Sequence, residues 1–229
     1  MSTFILSLET SSPICSVALH RDGMLVGQSE LRLEKSHSSH LSVMVSQLLE
    51  NTNHTLADVA AVTVSDGPGS YTGLRIGAAA AKGFCYASDI QLLAISTLRA
   101  LAHQVATTTA HAHEYLYCPM LDARRMEVYS ALYTHTGEEV VAPAPLVLDS
   151  ATLSEQLTRR RVLFFGSGAA KFQPLVAEQP HAAFLLGIEP SAIAIGELAY
   201  EAYQRQEFQD VAYYEPFYLK EVYTTTPKA

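Results

Sequence analysis

The chain has 229 residues, 48% hydrophobic and 17% charged, with 15 Lys and Arg against 23 Asp and Glu. This excludes an intrinsically disordered chain and allows one large domain or two small ones, each with a real core. A net charge of −8 makes a poor solo binder of phosphate backbones. No apolar run approaches the ~20 residues of a membrane helix, and the opening Thr3 to Leu8 has no basic flank of a signal peptide, so a cytoplasmic protein is expected. Cys15, Cys85 and Cys118 form no CxxC pair and read as reduced, mostly buried thiols.

Phe4 to Glu9 reads as a strand, and Ile14 to His20, alternating around Cys15, Val17 and Leu19, as a second. Arg21-Asp22-Gly23 is a hairpin signal leading into Met24 to Leu31, giving an antiparallel meander. Ser38 or Ser39 is placed to cap a helix whose apolar stripe is Leu41, Met44, Val45, Leu48 and Leu49. Val59 to Ser65 reads as a buried strand, 66–73 as a loop and Leu74 to Ala87 as an alanine-rich helix. Ile90 to Ile95 is a further strand, after which Ser96 or Thr97 caps a helix to about Val105. Thr107 to His113, small and polar, is the candidate joint between domains at 1–106 and 107–229. Beyond it, Tyr115 to Leu121 and Met126 to Tyr133 read as strands, and Pro143 and Pro145 break the next one. Leu153 to Arg160 is a short helix, Val162 to Phe165 a buried strand and Ile193 to Tyr203 a helix that can pack back on the first domain. Tyr213 to Tyr218 is extended, and the last few residues read as a tail.

Gly67, Gly69, Gly73 and Gly77 lie between a strand and a helix. Bare backbone there either cradles a phosphate at the helix N-terminus or makes a tight turn into a closely packed helix. The P-loop pattern fails for want of a Lys, and G-x-G-x-x-G fails at Thr72. Arg75, in the first helical turn, works against the macrodipole and is either solvated or partnered by a carboxylate, a phosphate or a second chain. Glu9 and Asp122 each end the first strand of their half, as acids holding Mg²⁺ in a nucleotide cleft do, or else cap their own turns. A nucleotide reading takes in Glu9, Thr10, Ser11, Gly69, Ser70, Thr72, Arg75 and Asp122. His37 and His40 have no third ligand nearby, and His111-Ala112-His113-Glu114 does not form H-E-x-x-H. There is no G-x-S-x-G. No catalytic or metal residue is assigned.

Four segments resemble the TsaB (YeaZ) family: Leu8-Glu9-Thr10-Ser11-Ser12 with Ile14 to Leu19, the run Gly67 to Gly77, Leu121 to Tyr129, and Glu215-Pro216-Phe217-Tyr218-Leu219-Lys220. Arg125-Met126 depart from the second domain's usual Met-Gly or Gln-Gly, which leaves that turn open. The resemblance implies an α/β actin-like (sugar kinase, Hsp70 and actin) fold of two related domains, each a mixed sheet flanked by helices. It also implies a part in tRNA threonylcarbamoyladenosine synthesis beside a catalytic paralogue, TsaD, and an ATPase, TsaE. ATP and Mg²⁺ would belong to the assembled complex, with tRNA bound only through it. TsaD carries an H-x-x-x-H metal motif after its fifth strand; Ser96 to Leu101 here holds no His pair. The family therefore implies a non-catalytic scaffold that pairs with TsaD or, alone, with a second copy. The expected pairing residues are Leu41, Met44, Val45 and Leu48 on one helix and Tyr71, Leu74, Ala78 and Ala79 on the other. The competing readings are a stand-alone actin-fold ATPase or kinase and a metal-dependent peptidase-like protein.

Overall fold

The computed structural model describes residues 2–33 and 36–220; the expected tail lies at 221–229, outside the described residues. A first mixed sheet runs β3-β2-β1-β4-β5, from β1 (Phe4–Glu9), β2 (Cys15–Arg21), β3 (Met24–Leu31), β4 (Val59–Gly67) and β5 (Gln91–Ser96). Asp22 and Gly23 both take positive φ, the geometry a two-residue hairpin between twisted strands needs. Helices α1 (His37–Asn51) and α2 (Tyr71–Ser88) cover one face, and α3 (Thr97–Ala106) follows β5. Ser36, not Ser38 or Ser39, is the N-cap of α1, and its hydroxyl bonds Leu33 O instead of capping. α2 begins at Tyr71, three residues before its first buried apolar side chain, because Ser70 accepts from Gly73 N.

The second sheet runs β10-β9-β6-β7-β8, from β6 (Tyr115–Asp122), β7 (Glu127–Tyr133), β8 (Glu139–Val147), β9 (Arg161–Phe165) and β10 (Ala182–Leu185), with short helices α4 (Ser154–Arg159) and α5 (Ala169–Phe172). Taken in chain order, both sheets have the order 3-2-1-4-5: an antiparallel meander, then two parallel strands on its open side. The expected break at Pro143 and Pro145 does not occur. Both lie within β8, an edge strand, where one side has no ladder to donate to. α5 and β10, four residues each, carry too little periodicity to be read from sequence.

Packing explains the strand composition. Leu6, Leu8, Val17, Leu19, Val62 and Val64 meet α1 and α2, while Ile5, Ala61, Leu93 and Ile95 meet α6 (Ala192–Gln204) on the other face. The first unit thus comprises the chain up to α3 plus α6 from the far end. α3 sends Leu98, Leu101 and Val105 against Tyr117, Tyr133 and Phe165 of the second sheet and joins the two units.

α6 sits tightly on the sheet: a Cβ at Gly196 would collide with the His20 ring and come within 2.7 Å of Ser7 Oγ. Gly196→Ala is expected to destabilise the chain by about 1–3 kcal/mol through overpacking. Gly83→Ala, with nothing within 4 Å of its Cβ, is expected to be neutral or stabilising by up to about 1 kcal/mol. Urea midpoints of the two variants check the opposed signs.

Candidate functional site

The glycine loop meets the β1–β2 turn. A Cβ at Gly73 would collide with Thr10 O and one at Gly77 with Thr10 Oγ1, while one at Gly69 would lie 2.6 Å from Ser11 O. Ser11 O accepts from Ser70 N at 2.7 Å, and Thr10 Oγ1 donates to Gly73 O at 2.9 Å. These glycines let the chain's own β1–β2 backbone pack closely against the start of α2. Thr10 and Ser11 are buried, whereas Ser70 and Thr72 face solvent. Ser70 and Thr72 line a cavity of 380 Å³ with Ser12, Pro13, His37 and Ile76.

The two strand-end acids do not form a shared exposed pair. Glu9 is fully buried; its Oε1 accepts from Ser11 N at 2.5 Å and Ser65 Oγ at 3.2 Å, and its Oε2 has no partner. Burial holds its carboxyl above the usual range, opposed in part by those hydrogen bonds. Asp122 is half-exposed and paired with Lys171 at 2.7 Å. Lys171 also donates to the carbonyls of Arg125 and Glu127. These bonds, with Arg124 N donating to Asp122 Oδ1, hold Arg124 and Arg125 in the left-handed region, so the turn forms without glycine.

Leu41, Met44, Val45 and Leu48 of α1, and Leu74 and Ala78 of α2, are core residues turned onto the first sheet, which corrects their expected place on a pairing surface. An apolar stripe on a surface helix is the face its own fold buries. α2 instead turns Thr72, Arg75, Ala79, Gly83 and Tyr86 outward, with Tyr71 beside them. Among the described residues Arg75 pairs with no carboxylate: it lies over the Tyr71 ring and donates to its hydroxyl, and Tyr71 packs on Tyr218 at 5.0 Å.

The remaining reactive groups are absorbed by the fold. Burial pushes Cys15 and Cys85 up to about 11 and Cys118 up to about 12, so none is a ready thiolate. His37 Nε2 bonds Ser12 O, and His103 pairs with Glu197 at 2.9 Å. No three His, Cys, Asp or Glu converge on a metal position among the described residues, and no helix there is long and apolar enough to cross a membrane.

The model of the tRNA N6-adenosine threonylcarbamoyltransferase (TsaD) family matches residues 32–225. The chain is 30% identical over 177 residues to the tRNA threonylcarbamoyladenosine biosynthesis protein TsaB of Bacillus subtilis, covering 76% of this chain and 75% of that one. It is 29% identical to the Haemophilus influenzae protein of the same name, over 94% and 93% of the two chains. The chain belongs to the TsaB (YeaZ) family.

A Pseudomonas aeruginosa protein similar to peptidase YeaZ superposes with a TM-score of 0.82 at 28% identity, covering 95% of this chain and all of that one. An activator of 2-hydroxyisocaproyl-CoA dehydratase from Clostridium difficile, at 12% identity and TM-score 0.52 over 90% of this chain and 97% of that one, shares the fold alone. The fold is actin-like.

The C-terminal signature has a structural role that sequence reading missed. Gln209 N bonds Leu92 O at the sheet edge, Lys82 Nζ holds the carbonyls of Ala212 and Tyr214, and Tyr214 donates to Asp66 Oδ1 at 3.0 Å. Phe217 N bonds Asp66 O, and Lys220 reaches Glu127 on β7. This strap ties the first unit to the second.

A buried carboxyl whose folded pKa lies above its unfolded value weighs against the fold above that folded pKa, and the penalty fades as pH falls toward the unfolded value. Glu9→Gln is therefore expected to gain more stability at about pH 9 than at about pH 5. Urea unfolding at both pH values checks it; an equal effect at both would show that folding does not raise the Glu9 pKa.

Proposed function

We propose that this chain serves tRNA threonylcarbamoyladenosine biosynthesis as a non-catalytic partner subunit. The carrying observation is the glycine loop, where the backbone of Thr10 and Ser11 packs against Gly69, Gly73 and Gly77 and takes up the Ser70 N–H. The acids that an actin-fold nucleotide enzyme would turn toward Mg²⁺ are taken up internally, Glu9 by burial and Asp122 by Lys171. The catalytic step belongs in this reading to a TsaD-like chain, with ATP and Mg²⁺ used by the complex and a TsaE-like ATPase joining it. tRNA is met through that complex, consistent with a chain of charge −8.

Pairing is assigned to the outward stripe of α2. Ala79 and Gly83 let a second helix come close, and Tyr71, Arg75 and the 85% exposed Tyr86 flank them with side chains suited to an interface. The partner is the TsaD-like chain or, without it, a second copy.

Reconstitution tests both points. Unmodified tRNA, threonine, bicarbonate, ATP, the adenylate-forming enzyme, TsaD and TsaE are combined with or without this chain, and threonylcarbamoyladenosine is measured by nucleoside chromatography. Product is expected only with the chain present. Ala79→Arg, on an exposed position, is expected to fold normally and to weaken pairing by about tenfold or more. Equal product without the chain, with ATP turnover by the chain alone, would favour the stand-alone ATPase. A folded Ala79→Arg variant that pairs normally would move the interface elsewhere.

A further inference from the structure

A second cavity, of 220 Å³, lies away from the glycine loop, between α3, α6 and the turn joining β7 to β8. Its walls bring together Arg99 and His103 from α3, His135 from the turn, and the threonines Thr107, Thr134 and Thr136. Arg99 is unusual in this setting. Its Nε is buried with no hydrogen-bond partner, and it makes no ion pair among the described residues. A guanidinium has five donors and no way to shed its charge, so a buried edge without an acceptor is costly. The carboxylates nearby are engaged: Glu201, also on the wall, pairs with Arg205 at 3.6 Å, Glu197 with His103, and Glu207, which also feels the Arg99 charge, with Arg205 at 2.6 Å. A chain of net charge −8 thus keeps an unpaired arginine in a hollow beside two histidines and three hydroxyls.

We propose that this cavity binds a small oxyanion, a phosphate or carboxylate group, held by Arg99 with His103, His135 and the threonine hydroxyls completing its shell. The cation supplies charge-assisted hydrogen bonds; Thr107 donates to His103 O and Thr134 and Thr136 bond each other, so one O–H of that threonine pair is left as a further donor. The volume admits a small ion with some of its water and is below the range that takes up a drug-sized ligand, so a nucleotide does not fit. The walls come from both units, α3 and α6 on one side and the β7–β8 turn on the other, so an occupant strengthens the contact between them.

The full chain is titrated with inorganic phosphate, and separately with acetate, against sodium chloride at matched ionic strength. Melting temperature and the amide and guanidinium N–H signals of Arg99 and the 134–137 turn are followed. A saturable rise and saturable signal shifts are expected with at least one of the two ions, and which one answers assigns phosphate or carboxylate. Arg99→Gln is expected to weaken binding by about tenfold or more, and Arg99→Lys, which keeps the charge and loses the fork, by less. Arg159→Gln, which removes an exposed arginine on α4, is expected to bind as the parent chain does. A response no greater than that to chloride, or an unchanged affinity in folded Arg99→Gln and Arg99→Lys, overturns the proposal.

Discussion

The first unit depends on one close approach, that of the β1–β2 turn to the first turn of α2. Glycine at positions 69, 73 and 77 lets the backbone of Thr10 and Ser11 lie where side chains would otherwise stand. The N-terminal turn of a helix carries unpaired N–H groups and a positive end, which here meet the Ser11 carbonyl through Ser70 N and the Ser70 hydroxyl through Gly73 N. The chain thus supplies from within an acceptor for two of these N–H groups. The same contact fixes the start of α2 over the sheet, which sets which of its faces is buried and which is left to solvent.

The two faces of the first sheet are not equivalent. Toward α1 and α2 it offers Leu6, Leu8, Val17, Leu19, Val62 and Val64. Toward α6 it sets Ser7, Glu9, His20 and Thr63, several of whose polar atoms are buried without partners among the described residues, beside the apolar Ile5, Ala61, Leu93 and Ile95. Each such atom costs about 1–3 kcal/mol of lost solvation. Burial also holds His20 below its ordinary value and therefore neutral. The apolar face accordingly contributes most of the stabilisation, and α6 is held by fit as much as by apolar area. Gly196 over His20 and the Ala192 N–H bonded to Ser16 Oγ are the means.

Legibility in the sequence followed the range of the interaction. The β1–β3 meander and the α1 and α3 helices were readable because alternation, helical spacing and the Asp22-Gly23 turn are local signals. β8 was misread because edge position, which makes Pro143 and Pro145 harmless, is a property of the sheet and not of the segment. The 3-2-1-4-5 order shared by the two sheets leaves no repeat in the sequence, since it is conserved as topology and satisfied by different apolar residues. The use of the glycine loop stayed open because the same residues serve a phosphate or a backbone, and the deciding partner, Thr10, lies 63 residues from Gly73. The burial of Leu41, Met44, Val45, Leu48, Leu74 and Ala78 within the chain itself was not legible for a related reason. Periodicity shows that a helix has an apolar face, and only the packed sheet shows that this face is already occupied.

The strand-end acids are both taken up by contacts of the fold itself. Glu9 is drawn inward, where Ser11 and Ser65 hold one oxygen. Asp122 accepts from Arg124 N and from Lys171, and so fixes a turn that has two non-glycine residues at positive φ. The next acid along, Glu127, takes Lys220 from a strap that is itself anchored at Asp66 and Lys82 on the first unit. These charges are fixed in local geometry or span the two units. A catalytic cleft of this architecture works by letting its halves move around a ligand, whereas a binding partner gains from surfaces that are already in place, because less ordering is left for the moment of association. The strap, the shared helix α3 and the close packing of the glycine loop on Thr10 and Ser11 would all serve that second purpose in the proposed reading, with the outer stripe of α2 as the surface in place.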